Sequence, residues 1–451
     1  MTLFAEQLQS IDSAIRFGIT GTVTGLSGMT IEASDLPVPL RCLCQITTAS
    51  GKVCDAEVIG FMSDRTLLMP LSDVGGVSRG DRIVALSATP RIFCSDKLLG
   101  RVIDGLGRPF DNKGPIAGGV ARRIDQKAIA PLDRAVIRQP LYTGVRCIDA
   151  LHTCGTGQRM GIFSGPGVGK STLMSAIAKN TSADISVVAL IGERGREVQE
   201  FMEHALGEEG LKRCILIVST SDDTPLLKVR AAKVACTVAE YFRDQGKNVL
   251  LMMDSITRLA QAQRQIGLAA REPPATKGFP PSVFALLPEI LERAGKTPKG
   301  SITGFYTVLV EGDDFNEPIP DAVKGITDGH LWLNRTLANA GHFPAIDPIQ
   351  SISRVRSDVA PKDQVDQARR VLSLLATYQE IEDLVSIGAY VRGNNPHQDL
   401  ALDARPKIVD FLKQDLKTGL KGEDSKRQLS ELCSAIDLIG KKPVAQGSQK
   451  K

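Results

Sequence analysis

The chain has no apolar run approaching the roughly 20 residues that a membrane-crossing helix needs, so peripheral membrane association is the most that is expected. Aromatic residues are scarce at 4%, and 55 Lys and Arg against 51 Asp and Glu leave a net charge of only +4. That excludes a platform of stacking rings along a basic stripe, so no nucleic-acid partner is expected. None of the nine cysteines stands in a C-x-x-C pair, and no histidine lies near Cys42 and Cys44 to complete a zinc site. An odd number of thiols in apolar settings such as Val-Ala-Cys236-Thr-Val reads as buried and free, in a reducing cytosol. The opening Met-Thr-Leu-Phe-Ala-Glu offers neither a basic start nor an apolar core for a signal peptide, and a cytoplasmic location is expected.

What is present is 451 residues of globular composition, 42% hydrophobic and 24% charged, enough for about two to four folded units. Over residues 1–16, Phe4, Leu8, Ile11 and Ile15 at helical spacing predict a short amphipathic segment, which either packs on its own chain or binds another. Residues 17–94 read as short strands separated by Gly, Ser and Asp, the texture of a small β-barrel. From 95 to 361 strand-like runs at 160–163, 186–191, 214–218, 248–253 and 305–309 alternate with helical stretches at 170–180, 195–207, 225–244 and 256–270. Such alternation predicts an α/β domain whose mainly parallel sheet is covered on both faces. Residues 362–440 read as helices only, and 441–451 as a polar, disordered tail.

The run Ser164-Gly-Pro-Gly-Val-Gly-Lys-Ser171 follows one of these strands and opens a helix. Gly165, Pro166, Gly167, Val168 and Gly169 are expected to wrap around phosphate at the positive end of that helix, the glycines letting the available backbone N–H groups face inward, with Thr172 just inside it. Lys170 would reach the β- and γ-phosphates of ATP, and the Ser171 hydroxyl would ligate Mg²⁺. Ser164 stands where the G-x-x-x-x-G-K-[ST] pattern has its first glycine.

A phosphate-binding loop needs an acidic partner on a neighbouring strand, and Leu250-Leu-Met-Met-Asp254 supplies a carboxylate at a strand's C-terminal edge. Asp254 is the second expected Mg²⁺ ligand. Hydrolysis also needs a group to orient or deprotonate water. Glu193, in Ile191-Gly-Glu-Arg-Gly-Arg-Glu197, either does this or belongs to a solvated charge cluster that pairs internally, and spacing alone leaves both open.

Taken with Thr143-Gly-Val-Arg-Cys-Ile-Asp149, Met253-Asp-Ser-Ile-Thr-Arg258 and Pro344-Ala-Ile-Asp-Pro-Ile-Gln-Ser-Ile-Ser-Arg354, these segments resemble the rotary and protein-export ATPases, the family of the α and β subunits of F-type ATP synthase. The resemblance covers nearly the whole chain. It implies a small β-barrel, a RecA-like core, a helical C-terminal domain and a homohexameric ring with nucleotide at subunit interfaces. By the same resemblance Glu193 is the catalytic glutamate and Arg258 lies near the γ-phosphate. Phe343 stacks on adenine, and Arg354 is an arginine finger given to the neighbouring site.

Glu272-Pro-Pro-Ala-Thr-Lys-Gly-Phe-Pro-Pro-Ser-Val-Phe-Ala285 and Asp383-Leu-Val-Ser-Ile-Gly-Ala-Tyr390 resemble the type III export branch, in its flagellar form. That implies action at the cytoplasmic face of the inner-membrane export apparatus. The implied partners are the membrane proteins of the export gate, export chaperones and their substrates, and a FliH-like regulator and stator bound through the N-terminal segment. The rivals are an injectisome secretion ATPase, a catalytic or non-hydrolysing subunit of an F- or V-type ATP synthase, and a ring-shaped RNA translocase. A glutamate at 193 speaks against the non-hydrolysing subunit, and the Pro-Pro-Ser-Val-Phe run against a synthase.

Overall fold

The computed structural model describes residues 18–310, 317–416 and 418–440, apart from the side chains of 204, 205, 208 and 209. The expected N-terminal amphipathic segment and the polar tail lie outside the described residues.

Six strands, β1 (Thr20–Ser27), β2 (Thr30–Ser34), β3 (Leu43–Thr47), β4 (Val53–Met62), β5 (Arg65–Pro70) and β6 (Arg82–Ser87), close into a barrel of order β1-β2-β5-β4-β3-β6. Every pairing is antiparallel, and alternate residues point inward. Val23, Ile31, Ala33, Cys44, Ile46, Ala56, Val58, Leu68 and Ile83 fill it, each at most 1% exposed. The third strand begins at Leu43 rather than Leu40, yet Cys42 and Cys44 are both buried as free thiols, as are the other seven cysteines.

The following sheet has eight strands in sequence-scrambled order plus a short side pairing at Gly295–Lys296. They are β7 (Val102–Asp104), β8 (Arg159–Ser164), β9 (Ile185–Glu193), β10 (Cys214–Thr220), β11 (Asn248–Asp254), β12 (Ser301–Leu309), β13 (Gly329–Leu333) and β14 (Ile346–Ser353). Across the sheet they run β14-β13-β8-β12-β11-β9-β10-β7, parallel throughout except for the edge pair β13–β14.

Strands buried on both faces carry continuous apolar runs, and each run divides between two cores. From β9 and β11, Val187, Ala189, Leu251 and Met253 pack against helices α2 (Pro225–Asp244), α3 (Ile256–Ala269) and α4 (Pro281–Leu291). Their neighbours Val188, Leu190, Leu250 and Met252 face the other way, onto α1 (Lys170–Asn180). Three C-terminal helices, α5 (Lys362–Ser386), α6 (Pro396–Leu412) and α7 (Gly422–Gly440), complete that second core through Val371, Leu374, Ile408, Leu429 and Ile436. They therefore sit on the same side of the sheet as the P-loop helix.

Local chemistry sets the helix starts. Thr224 caps α2, its hydroxyl accepting from the Leu227 amide at 3.4 Å with Pro225 at the first helical position. The stretch expected as one helix at 195–207 is instead a short α-helix, Gly195–Glu200, followed by a π-turn at Phe201–Leu206. The barrel is tied to α2 by the ion pair of Arg230 with Glu57 at 3.1 Å, and by Asp125, which pairs with both Lys233 of α2 and Arg41 of the barrel at 2.7 Å.

Candidate functional site

The P-loop spans the gap between β8 and α1. Gly167 and Gly169 take φ of 77° and 91°, and a Cβ at Gly167 would meet nothing within 4 Å, so the loop is an open cradle. No acidic residue stands in the first turn of α1, which leaves its positive end free for an anion. Ser164 ends β8, and its φ is not positive. The missing first glycine therefore costs the loop nothing: the backbone there is a strand, its carbonyl accepting from the Val310 amide at 3.0 Å. The Ser164 hydroxyl is buried without a partner.

Lys170 Nζ contacts Asp254 Oδ1 directly and lies 3.6 Å from Glu193 Oε1. All three side chains are largely buried, Asp254 most deeply. Asp254 was expected on the strand beside the P-loop strand; β12 in fact runs between β8 and β11. Thr307 on that intervening strand donates its hydroxyl to Asp254 Oδ1 at 2.7 Å, so the middle strand holds the carboxylate in place. Nothing in the spacing of the sequence marks Thr307, because its role depends on strand order.

Glu193 ends β9 at a bulge, where Gly192 takes φ of 73°. A Cβ on Gly192 would stand 3.1 Å from Arg258 Cβ, so glycine serves both the turn and the approach of α3. Burial pushes the Glu193 carboxyl up to about 7, helped by a hydrogen bond with Glu197 and the charge of Asp254 and opposed by Lys170. Glu193 itself is thus withdrawn from solvent and paired with Lys170, while Arg194 and Glu197 of the same segment form an exposed ion pair at 4.0 Å.

Two clefts meet at Ser171 and Glu193. One, of about 1050 Å³, is lined by Gly165, Gly167, Lys170, Lys228 and Arg258. The other, of about 920 Å³, is lined by Thr172, Lys179, Phe343, Pro344, Gln414 and Leu416. The Phe343 ring lies over the loop, 3.6 Å from where a Gly169 Cβ would stand. Val168 is buried beneath. Arg354 is not brought to these clefts. It follows the last residue of β14, its amide donates to the Asp328 carbonyl at 3.0 Å, and its side chain is exposed.

A glycine cradle at a helix N-terminus, a lysine between two carboxylates and a polar cleft beside an apolar one define a P-loop nucleoside-triphosphatase on a RecA-like sheet. Residues 144–353 match the ATP synthase alpha/beta family nucleotide-binding domain, and 360–431 the C-terminal domain of the type III secretion ATPase EscN. The chain is 48% identical to the flagellum-specific ATP synthase of Bacillus subtilis, over 95% of its own length and 96% of that protein's. It is also 48% identical to the type 3 secretion system ATPase of Xanthomonas euvesicatoria, over 87% and 89%. The assembled EscN ATPase of enteropathogenic E. coli superimposes with a TM-score of 0.87 at 46% identity, covering 91% of this chain and 99% of that one. The chain belongs to the ATP synthase alpha/beta family, in its branch of flagellar and type III secretion export ATPases, and binds and hydrolyses ATP. Among the described residues no helix is long and apolar enough to cross a membrane.

Proposed function

We propose that the chain spends ATP on type III export of flagellar proteins, releasing them from chaperones, unfolding them and passing them to the export gate. It works as a homohexameric ring at the cytoplasmic face of the inner membrane. The observation that carries the catalytic half is the convergence of Lys170, Asp254 and Glu193 where the two clefts meet, with Arg354 left exposed outside them.

In this reading the backbone N–H groups of Gly165 and of residues 167–172, with the Lys170 ammonium, hold the β- and γ-phosphates. Glu193 takes the proton of a water whose oxygen bonds to the γ-phosphorus as the bond to the bridging oxygen of ADP breaks. Its raised pKa suits a base working near neutral pH. Arg258, in the same cleft, faces the γ-phosphate, and Phe343 covers adenine. A hydroxyl and a carboxylate at the cleft are a hard-oxygen donor set, so Ser171 and Asp254 fit Mg²⁺. The ion would neutralise charge on the phosphates. Arg354 reaches the site of the next subunit, where a guanidinium stabilises the transferring phosphoryl group. The assembled state of the EscN relative supports a ring.

The flagellar assignment rests on the Glu272–Ala285 segment and on the fuller coverage of the Bacillus relative. Secretion into host cells is the second reading, favoured by the equal identity of the Xanthomonas relative. Deleting the gene separates them. Loss of flagella with host-directed secretion intact supports the first, and a motile, fully flagellated deletion strain overturns it.

A further inference from the structure

Gln414 stands two residues beyond the end of α6 and lines the cleft that holds Phe343. Its side chain is committed to a single turn of the ATPase core. Oε1 accepts from the Arg146 amide at 2.8 Å, and Nε2 donates to the Gly144 carbonyl at 2.9 Å. Its own amide donates to the Phe343 carbonyl at 2.9 Å. Arg146 returns the contact, donating to the Phe411 carbonyl at 2.6 Å with its guanidinium 5.4 Å from the centroid of the Phe411 ring.

The turn that Gln414 grips is itself held firmly. The buried Asp149 carboxylate accepts from the Thr143 amide at 2.8 Å, the Thr143 hydroxyl at 2.7 Å and the Gly144 amide at 2.9 Å. Gly144 has φ of 75°, and a Cβ on it would collide with Asn180 at the end of α1, 2.5 Å away. One residue thus joins the end of α6, a turn packed against the P-loop helix, and the segment carrying Phe343.

We propose that Gln414 is a positioning residue for nucleotide: it holds Phe343 at its height above Gly169, so the C-terminal helices set the seat of the purine base. This rests on reading Phe343 as the base-stacking residue. Binding, rather than chemistry, is what such a residue controls, because Phe343 lies over the loop at Gly169, whereas Lys170 and Glu193 pair with each other and Lys170 with Asp254. Movement of α6 relative to the core shifts the Phe343 carbonyl directly, making nucleotide affinity sensitive to what the C-terminal helices contact.

The test is steady-state hydrolysis by Gln414→Ala, Phe343→Leu and the double variant, with thermal midpoints measured in parallel. Gln414→Ala is expected to raise the KM for ATP about 3–10-fold with kcat within about twofold of wild type. The double variant should show no higher KM than Phe343→Leu alone, since both changes disable one contact. A wild-type KM in Gln414→Ala, or additive effects in the double variant, overturns the inference. So does a fall in kcat and thermal midpoint with KM unmoved, which is the mark of a purely structural role. Gln414→Met keeps the length of the stem and carries the same expectation should the alanine variant fold poorly. If Phe343→Leu leaves KM unchanged, the base-stacking reading itself is wrong. If Phe343→Leu raises KM and Gln414→Ala does not, only the positioning role is lost.

Discussion

Lys170 Nζ lies 3.6 Å from Glu193 Oε1 while contacting Asp254 Oδ1, so one ammonium balances two carboxylates from different strands. In water such pairs contribute little, but here burial raises the cost of leaving either acid unpaired. The lysine is thus a structural counter-ion in the same place where we propose that it binds phosphate.

Lys170→Ala should abolish steady-state ATP hydrolysis, by at least about 100-fold in phosphate release, because charge on the β- and γ-phosphates loses its partner. Asp254 keeps its hydrogen bond from Thr307, so the variant should remain folded by circular dichroism. Undiminished hydrolysis would remove the P-loop from the mechanism.

Glu193→Gln should lower kcat by about 10²–10⁴ with nucleotide binding retained, measured by equilibrium binding beside turnover. The wild-type pH profile gives an independent check. A base with its pKa raised to about 7 is charged and active above that value and protonated below it, so kcat should fall as the pH drops through 7. That acidic limb should vanish from the residual activity of the glutamine variant.

Mixing Arg354→Ala with Glu193→Ala subunits should restore part of the activity that each homogeneous preparation lacks, because some interfaces then carry an intact glutamate facing an intact arginine. Assays across mixing ratios decide it. If no ratio recovers activity, Arg354 does not serve the neighbouring subunit.

Asp149→Asn should destabilise the fold by about 1–3 kcal/mol, read by chemical denaturation, since the new amide N–H would face the Gly144 N–H in a buried site. Burial pushes the Asp149 carboxyl up to about 7 against the three donors that pull it down. An acid raised in the folded state gives stability that is lost as the pH climbs from its unfolded value through 7. The penalty of Asp149→Asn should therefore be larger at pH 5.5 than at pH 8.

The elements that came through in the sequence are those whose cause is local. Thr224-Pro225 announces α2, and the Gly-rich run announces α1, each within a residue of where the helices stand. The barrel was recognisable although β2 was not, because five residues with few apolar side chains carry little pattern. The edge strands β13 and β14 went unread, and β12, although read as a strand at 305–309, was not placed between β8 and β11, because pairing order is decided by tertiary contacts. Lys170 and Asp254 were legible from motif and context, whereas spacing left Glu193 open until the family resemblance was added. Phe343, Arg258 and Arg354 were reached only through family resemblance, and Thr307 and Gln414 not at all, since their partners lie far away along the chain.

The sheet that presents Arg354 is the same sheet that begins the P-loop. Arg354 follows β14, which is hydrogen-bonded to β13, and β13 to β8, whose last residue is Ser164. Two ladders of backbone bonds act as a stiff crossbar between a subunit's own pocket and the side chain that we propose it lends. In a closed ring, tension at one pocket would reach the next as a shift of a guanidinium, and timing between sites would need no machinery beyond the sheet itself.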